Sequence, residues 1–120
     1  MKPYHFTLAQ DDPDALFILQ HKLTQWFPGS SFASFSNAED ALDHLLAHQT
    51  DLLITNHGMG AMSGADLIRE LRSRGSQLPI IMLSGNPKAE AEGLTAGASA
   101  FLLKSATMRG LDSLLRKLLP

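Results

Sequence analysis

Short apolar runs alternate with helical stripes of apolar residues along the whole chain. Tyr4 to Ala9 reads as a strand, stopped by Asp11-Asp12-Pro13. Leu16, Leu19, Leu23 and Trp26/Phe27 then recur at helical spacing until Pro28-Gly29 ends the stripe. Phe32 to Phe35 reads as a second strand. Ser36-Asn37-Ala38-Glu39 reads as a capping box, opening a helix with Ala38, Leu42, Leu45 and Leu46 turned inward. Asp51 to Thr55 predicts a third strand, followed by a glycine-bearing loop and a helix on Leu67, Ile68 and Leu71 that stops at Gly75. Ile80 to Leu83 predicts a fourth strand, Pro87 to Ala96 a weak helix containing Gly93, and Ala100 to Leu103 a fifth strand. Met108, Leu111, Leu114/Leu115 and Leu118 stripe a last helix.

The order is strand then helix, five times over. The third and fourth strands are apolar on both faces, as strands of a parallel sheet covered on both sides must be. The pattern predicts an α/β fold, a doubly wound three-layer sandwich whose ligand site lies at the carboxyl ends of the strands. Residues 1–120 read as a single domain, long enough for one sizeable core.

Composition narrows the function. A net charge of −2 with no block of Lys and Arg argues against a nucleic-acid face. The absence of cysteine excludes disulfides, thiolate catalysis and zinc–sulfur sites. The start, MKPYHFTLAQDD, meets an acidic pair within a dozen residues and has neither a signal peptide's apolar core nor a membrane span. The chain reads as soluble and cytoplasmic.

The strand ends bring polar groups to one rim: Gln10, Asp11 and Asp12 after the first strand; Asn56, His57 and Gly58 after the third; Ser84 and Gly85 after the fourth; Lys104 and Ser105 after the fifth. An acid, an amide, a hydroxyl and a lysine form a constellation suited to an anion, or to a metal with a phosphate.

FTLAQDDPDAL, DLLITNHGMGAMSG, LPIIMLSG and AGASAFLLKS, in that order, resemble the signature segments of bacterial two-component response-regulator receiver domains, the CheY-like superfamily. The resemblance covers essentially the whole chain. It implies a flavodoxin-like (βα)5 sheet in the order 2-1-3-4-5. It also implies a signalling role: an aspartate at the end of strand 3 accepts a phosphoryl group from a histidine kinase. Ser84 then matches the strand 4 hydroxyl and Lys104 the strand 5 lysine, both phosphate-binding in the family. Phe101 matches the switch aromatic, and Asp11 and the Gly58 carbonyl match Mg2+ ligands. The first member of the acidic pair falls on Gln10, with Asp12 beside the pair. The phosphoacceptor falls on Asn56. Gly60 and Ser105 stand where the family has proline, and the stretch from Ser84 to Lys104 is about two residues short.

An aspartate accepts phosphate because its carboxylate is nucleophile and metal ligand together. An amide nitrogen is not nucleophilic. With Gln10 and Asn56 in place of two acids, Mg2+ should bind weakly or not at all, since this hard ion relies on carboxylates. No other cofactor is expected. Lys104 would then be held by Asp11 or by the amide oxygens of Asn56 and Gln10, fixing one conformation. A cis bond before Ser105 would cost about 3–4 kcal/mol, so a trans bond is expected there. Gly60 in place of proline leaves the loop after strand 3 freer.

Other residues carry weaker signals. His57 reads as pointing away from the pocket, on the bend that follows Asn56. His44 and His48, spaced i, i+4, read as a solvated surface pair and not a metal site, because no third ligand is in view. Asp51 reads as a strand boundary. The G-x-G-x-x-x-G spacing of Gly58, Gly60 and Gly64 is not a nucleotide fingerprint.

Three functions compete. The first is a pseudo-receiver, non-enzymatic and stand-alone, acting by protein–protein contact with a histidine kinase, a phosphotransfer protein or another regulator. Its contact face, also the family's homodimer face, would be helix 4–strand 5–helix 5, which carries Lys88, Glu90, Glu92, Phe101, Arg109, Asp112, Arg116 and Lys117. With no output domain after helix 5, its signal would leave through a partner. The second is an unconventional phosphoacceptor using Asp11 or Asp12. The third is a module of the same fold that takes an anion or small molecule in the vacated pocket.

Overall fold

A computed structural model of the chain describes residues 3–105 and 108–120. Its elements run β1 (His5–Ala9), α1 (Pro13–Trp26), β2 (Ser31–Phe35), α2 (Ala38–Ala47), β3 (Leu52–Asn56), α3 (Gly64–Ser73), β4 (Ile80–Ser84), α4 (Ala89–Ala96), β5 (Ala100–Leu103) and α5 (Leu111–Leu118). The strands form one parallel sheet in the order β2-β1-β3-β4-β5. This is the flavodoxin-like architecture, with β3 in the middle of the sheet and the direction of the connections reversing between β1 and β3.

Alternation along the strands divides the interior into two cores. Leu52 and Ile54 of β3, with Ile81 and Leu83 of β4, face Leu19 and Leu23 of α1 and Leu111 and Leu115 of α5. Leu53, Ile80 and Met82 face the opposite layer, built on Ala38 and Ala41 of α2, Leu67, Ile68 and Leu71 of α3, and Ala89 and Ala96 of α4. A strand that feeds both layers has no polar side, hence the continuous runs LLIT and IIML. Each fully buried Leu or Ile contributes about 1.5–3 kcal/mol over an exposed one.

Local details depart from the sequence pattern in four places. The predicted box at α2 is replaced by a side-chain cap one residue later: Asn37 Oδ1 accepts from the Asp40 amide at 2.8 Å, and Asn37 Nδ2 donates to Asp40 Oδ2 at 3.0 Å. Ser36 and Glu39 are not its partners, because asparagine caps as well as serine and places an acid at the third position. Leu46 is exposed, not inward. At about 100° per residue it lies about 80° around the helix from Ala38, on the flank of the stripe. Met108 is buried but lies outside α5, in left-handed backbone at φ 51°, and the helix starts only after Gly110 at φ 92°. A full capping box, undetected in the sequence, opens α3: Ser63 Oγ accepts from the Asp66 amide while Asp66 Oδ2 accepts from the Ser63 amide.

Two close approaches set the helices near the rim. A Cβ on Gly64, the first residue of α3, would meet the Asn56 carbonyl oxygen at 2.1 Å. A Cβ on Gly93 would meet Met82 Sδ at 2.7 Å, so α4 lies tightly on β4.

Candidate functional site

The rim is built from the last residues of four adjacent strands. Gln10, just past β1, is buried; its backbone N–H donates to the Phe35 carbonyl at 2.9 Å, and its side-chain Oε1 accepts from the Asp12 backbone amide at 3.1 Å. Asp12 caps α1, its Oδ1 accepting from the Asp14 amide at 3.0 Å, with Pro13 in the first turn where no amide is needed. Both residues are therefore engaged in shaping the β1–α1 turn.

Asp11 is exposed and turns toward β3. Asn56 Nδ2 donates to Asp11 Oδ1 at 3.0 Å and to the Gly58 carbonyl at 3.3 Å. Both partners are acceptors, and this settles which end of the amide faces them. One neutral nitrogen thus bridges the carboxylate and the carbonyl that the family resemblance assigns to Mg2+. The main chain at Asn56 is held separately: its carbonyl accepts from Thr55 Oγ1 at 2.9 Å and lies against Gly64.

Ser84 is buried at the end of β4, and its hydroxyl oxygen accepts from the Asn86 amide at 3.1 Å. Lys104 continues the ladder, its amide donating to the Ser84 carbonyl at 2.8 Å. Its ammonium, however, is not held as the sequence reading expected. Asp11 Oδ1 is occupied by Asn56, and Gln10 Oε1 by Asp12. Among the described residues Lys104 makes no ion pair, and it lines a cavity of about 310 Å³ with Asp12, Asp14, Ile18, Ser105 and Met108. Among the described residues no peptide bond is cis, so the bond before Ser105 is trans. Phe101 is half-buried against the core shared by α2, α3 and α4.

The groups that the resemblance assigns to Mg2+ are engaged with Asn56. Asp11 and Gly58 both already accept from Asn56, and among the described residues no group of three or more His, Cys, Asp or Glu could hold a metal.

His57 turns away from Asn56 and toward α4, its Nε2 3.0 Å from Glu92 Oε1. Its Nδ1 is buried without a hydrogen-bond partner. Arg69 of α3 joins them, Nη2 standing 3.5 Å from Glu92 Oε2 and 3.3 Å from Asp66 Oδ1. Hydrogen bonds from the Ser63 amide and hydroxyl hold the Asp66 carboxyl below the usual carboxylate range, and Arg69 and His57 add to the effect. Sequence reasoning missed this group, since Glu92 and Arg69 are brought to His57 only by the packing of α4 on α3.

His44 and His48 stack on each other with ring centroids 4.4 Å apart, and His44 also packs on Phe35 at 5.1 Å. His44 is thus only half solvated. Burial, then the neighbouring His48, hold its pKa below the ordinary value. With His5 the pair lines a groove at the amino ends of β1 and β2, opposite the rim.

Among the described residues no helix is long and apolar enough to cross a membrane. The family model "Response regulator receiver domain" matches residues 6–116. The two-component response regulator PhoP of Pseudomonas aeruginosa is 41% identical over 85 residues, covering 69% of this chain and 38% of that protein. The sensor protein EvgS of Escherichia coli is 32% identical over 113 residues, covering 92% of this chain and 9% of that protein. The chain therefore spans well under half the length of either relative. The solved response regulator TrrA of Thermotoga maritima, in complex with Mg(2+)-BeF, shares the fold with a TM-score of 0.88 at 23% identity, covering 97% of this chain and 99% of that one. A match running from the first strand into the last helix, on a sheet of the same strand order, makes this chain a member of the response regulator receiver domain family.

Proposed function

We propose that this receiver works in two-component or phosphorelay signalling without being phosphorylated at Asn56, and that it acts by protein–protein contact. The observation that supports this most directly is the double hydrogen bond from Asn56 Nδ2 to Asp11 and Gly58. It puts a non-nucleophilic group at the acceptor position and uses it to close the metal-binding corner. Asp12 as an acceptor is disfavoured because it caps α1, and Asp11 because its carboxylate is tied to Asn56. Mg2+ then binds weakly or not at all, and the domain performs no catalysis of its own.

Its partners are a histidine kinase, a phosphotransfer protein or another regulator. The face formed by α4, β5 and α5 suits such a contact or a homodimer: Leu94 and Leu103 are 45% and 49% exposed there. Exposed Lys88, Glu90, Arg109 and Lys117 flank them with mixed charge, a basis for specific, salt-sensitive recognition. Arg116 is less available, since it pairs with Asp112 at 2.7 Å and stacks 5.0 Å over Phe27. No basic cluster serves nucleic acid, and the cytoplasm is the compartment where such partners would be met.

Intact mass after incubation with Mg2+ and a small-molecule phosphodonor tests this. The native protein should gain no phosphate, beside an Asn56→Asp variant run in parallel. A phosphate adduct on the native chain refutes the proposal, and its mapping to Asp11, Asp12 or His57 names the acceptor. Anion binding at the rim is favoured by one specific observation: the Lys104 ammonium makes no ion pair among the described residues and stands beside a cavity. A rise in melting temperature with inorganic phosphate would support that role.

A further inference from the structure

Among the described helices, α4 has few means of holding its own place. It is eight residues long, Lys88 at its N-cap makes no side-chain cap, and its buried residues are only Ala89, Gly93 and Ala96. A helix so short is marginal without tertiary anchors. Besides the close packing of Gly93 on Met82, polar anchors reach it from the segment that follows Asn56. Glu92 takes His57 Nε2 on one carboxylate oxygen at 3.0 Å and Arg69 Nη2 on the other at 3.5 Å. At the far end of the helix, Arg72 Nε donates to the Gly97 carbonyl at 3.0 Å, and its Nη1 donates to the Ser76 carbonyl at 2.9 Å.

His57 is joined directly to Asn56, and its amino-acid backbone is pinned there: the His57 carbonyl accepts from the Gly64 amide. Facing a carboxylate, Nε2 must carry the proton, while Nδ1 is buried without a partner. The imidazole is therefore committed to Glu92. We infer that His57, Glu92 and Arg69 form a clasp that sets the position of α4 from the end of β3. In this arrangement the clasp, not Lys104, fixes the conformation of the face that α4 presents. The inference deepens the proposed function by naming what holds that face. It stands or falls separately from whether position 56 takes a phosphoryl group.

Hydrogen exchange followed by mass spectrometry on the whole chain at near-neutral pH tests it. Glu92→Gln keeps the shape of the side chain but loses the charge that binds both partners. Exchange in residues 89–96 should speed up by roughly threefold or more, the scale of two half-exposed ionic contacts. The sheet strands should exchange as in the native protein. His57→Gln should act in the same region, and adding it to Glu92→Gln should add little. Glu90→Gln, on the same helix and in no ion pair among the described residues, should leave the rates unchanged. Native rates in Glu92→Gln would overturn the inference. So would an equal effect of Glu90→Gln, or a loss of protection spread through the sheet, because either would show a general effect and not a clasp.

Discussion

Replacing Asn56 by aspartate exchanges an amide that donates to Asp11 for a second anion beside it. Asn56 Nδ2 lies 3.0 Å from Asp11 Oδ1, so a hydrogen bond to a charged acceptor is lost. Such bonds are worth about 1.5–3 kcal/mol. Two like charges about 4 Å apart repel by about 1 kcal/mol in water and about 4 kcal/mol at an effective dielectric constant of 20. Asp11 is exposed, which keeps the repulsion near the lower figure. Asn56→Asp should therefore lose about 2–4 kcal/mol of stability at neutral pH without divalent ions. At about 4 °C per kcal/mol, the melting temperature falls by roughly 8–16 °C. Mg2+ should return much of this, since the two carboxylates and the Gly58 carbonyl are now free to face the ion. Saturation at 100 times Kd stabilises by about 2.7 kcal/mol. Lowering the pH should also narrow the deficit, because one acid of the pair takes up a proton. Thermal melts of both proteins with and without Mg2+ measure each effect. A variant as stable as the native chain in metal-free buffer, or a native chain that gains as much from Mg2+ as the variant, would refute the reasoning.

Gly64→Ala should destabilise by about 3 kcal/mol or more in urea unfolding, because its Cβ meets a backbone carbonyl at 2.1 Å that cannot step aside. Gly93→Ala should be far milder: the obstacle is the flexible Met82 side chain, and about 1 kcal/mol of helix propensity offsets its displacement. Ser63→Ala should lose about 1 kcal/mol by removing the side-chain acceptor of the α3 cap. His44 has a folded pKa below its unfolded value of about 6.5. Stability is therefore full above that pH and is lost as pH falls from there through the folded value; His44→Gln should flatten the slope of stability as pH falls below about 6.5.

The fold was legible because burial on both faces leaves an unmistakable trace: LLIT and IIML admit no polar side, and the stripes between them are spaced for helices. Strand order came from the family resemblance, and the sheet has it. The composition of the rim was legible too, since strand ends can be read from where each apolar run stops. What each polar group touches was not. Gln10, Asp12 and Ser84 spend their acceptors on nearby amides, a matter of turn geometry that spacing does not reveal. Lys104 makes none of its expected ion pairs among the described residues, while Gln10 Oε1 and Asp11 Oδ1 accept from nearer donors. The His57–Glu92–Arg69 group depends on how two helices lie together, and residues so far apart in the chain leave no joint pattern in it. Leu46 and Met108 show the converse error, an apolar residue assigned to a stripe by spacing alone when helix flank and left-handed backbone decided otherwise.

The main chain at residue 56 is positioned by Gly64 and by the Thr55 hydroxyl, neither of which depends on the side chain that residue 56 carries. Asparagine and aspartate codons differ by a single base. One point mutation can therefore exchange an amide for a carboxylate in a socket that is already shaped, and another can reverse it. On the function proposed above, the identity of this one side chain is a setting of the molecule, held on a scaffold that need not be rebuilt to change it.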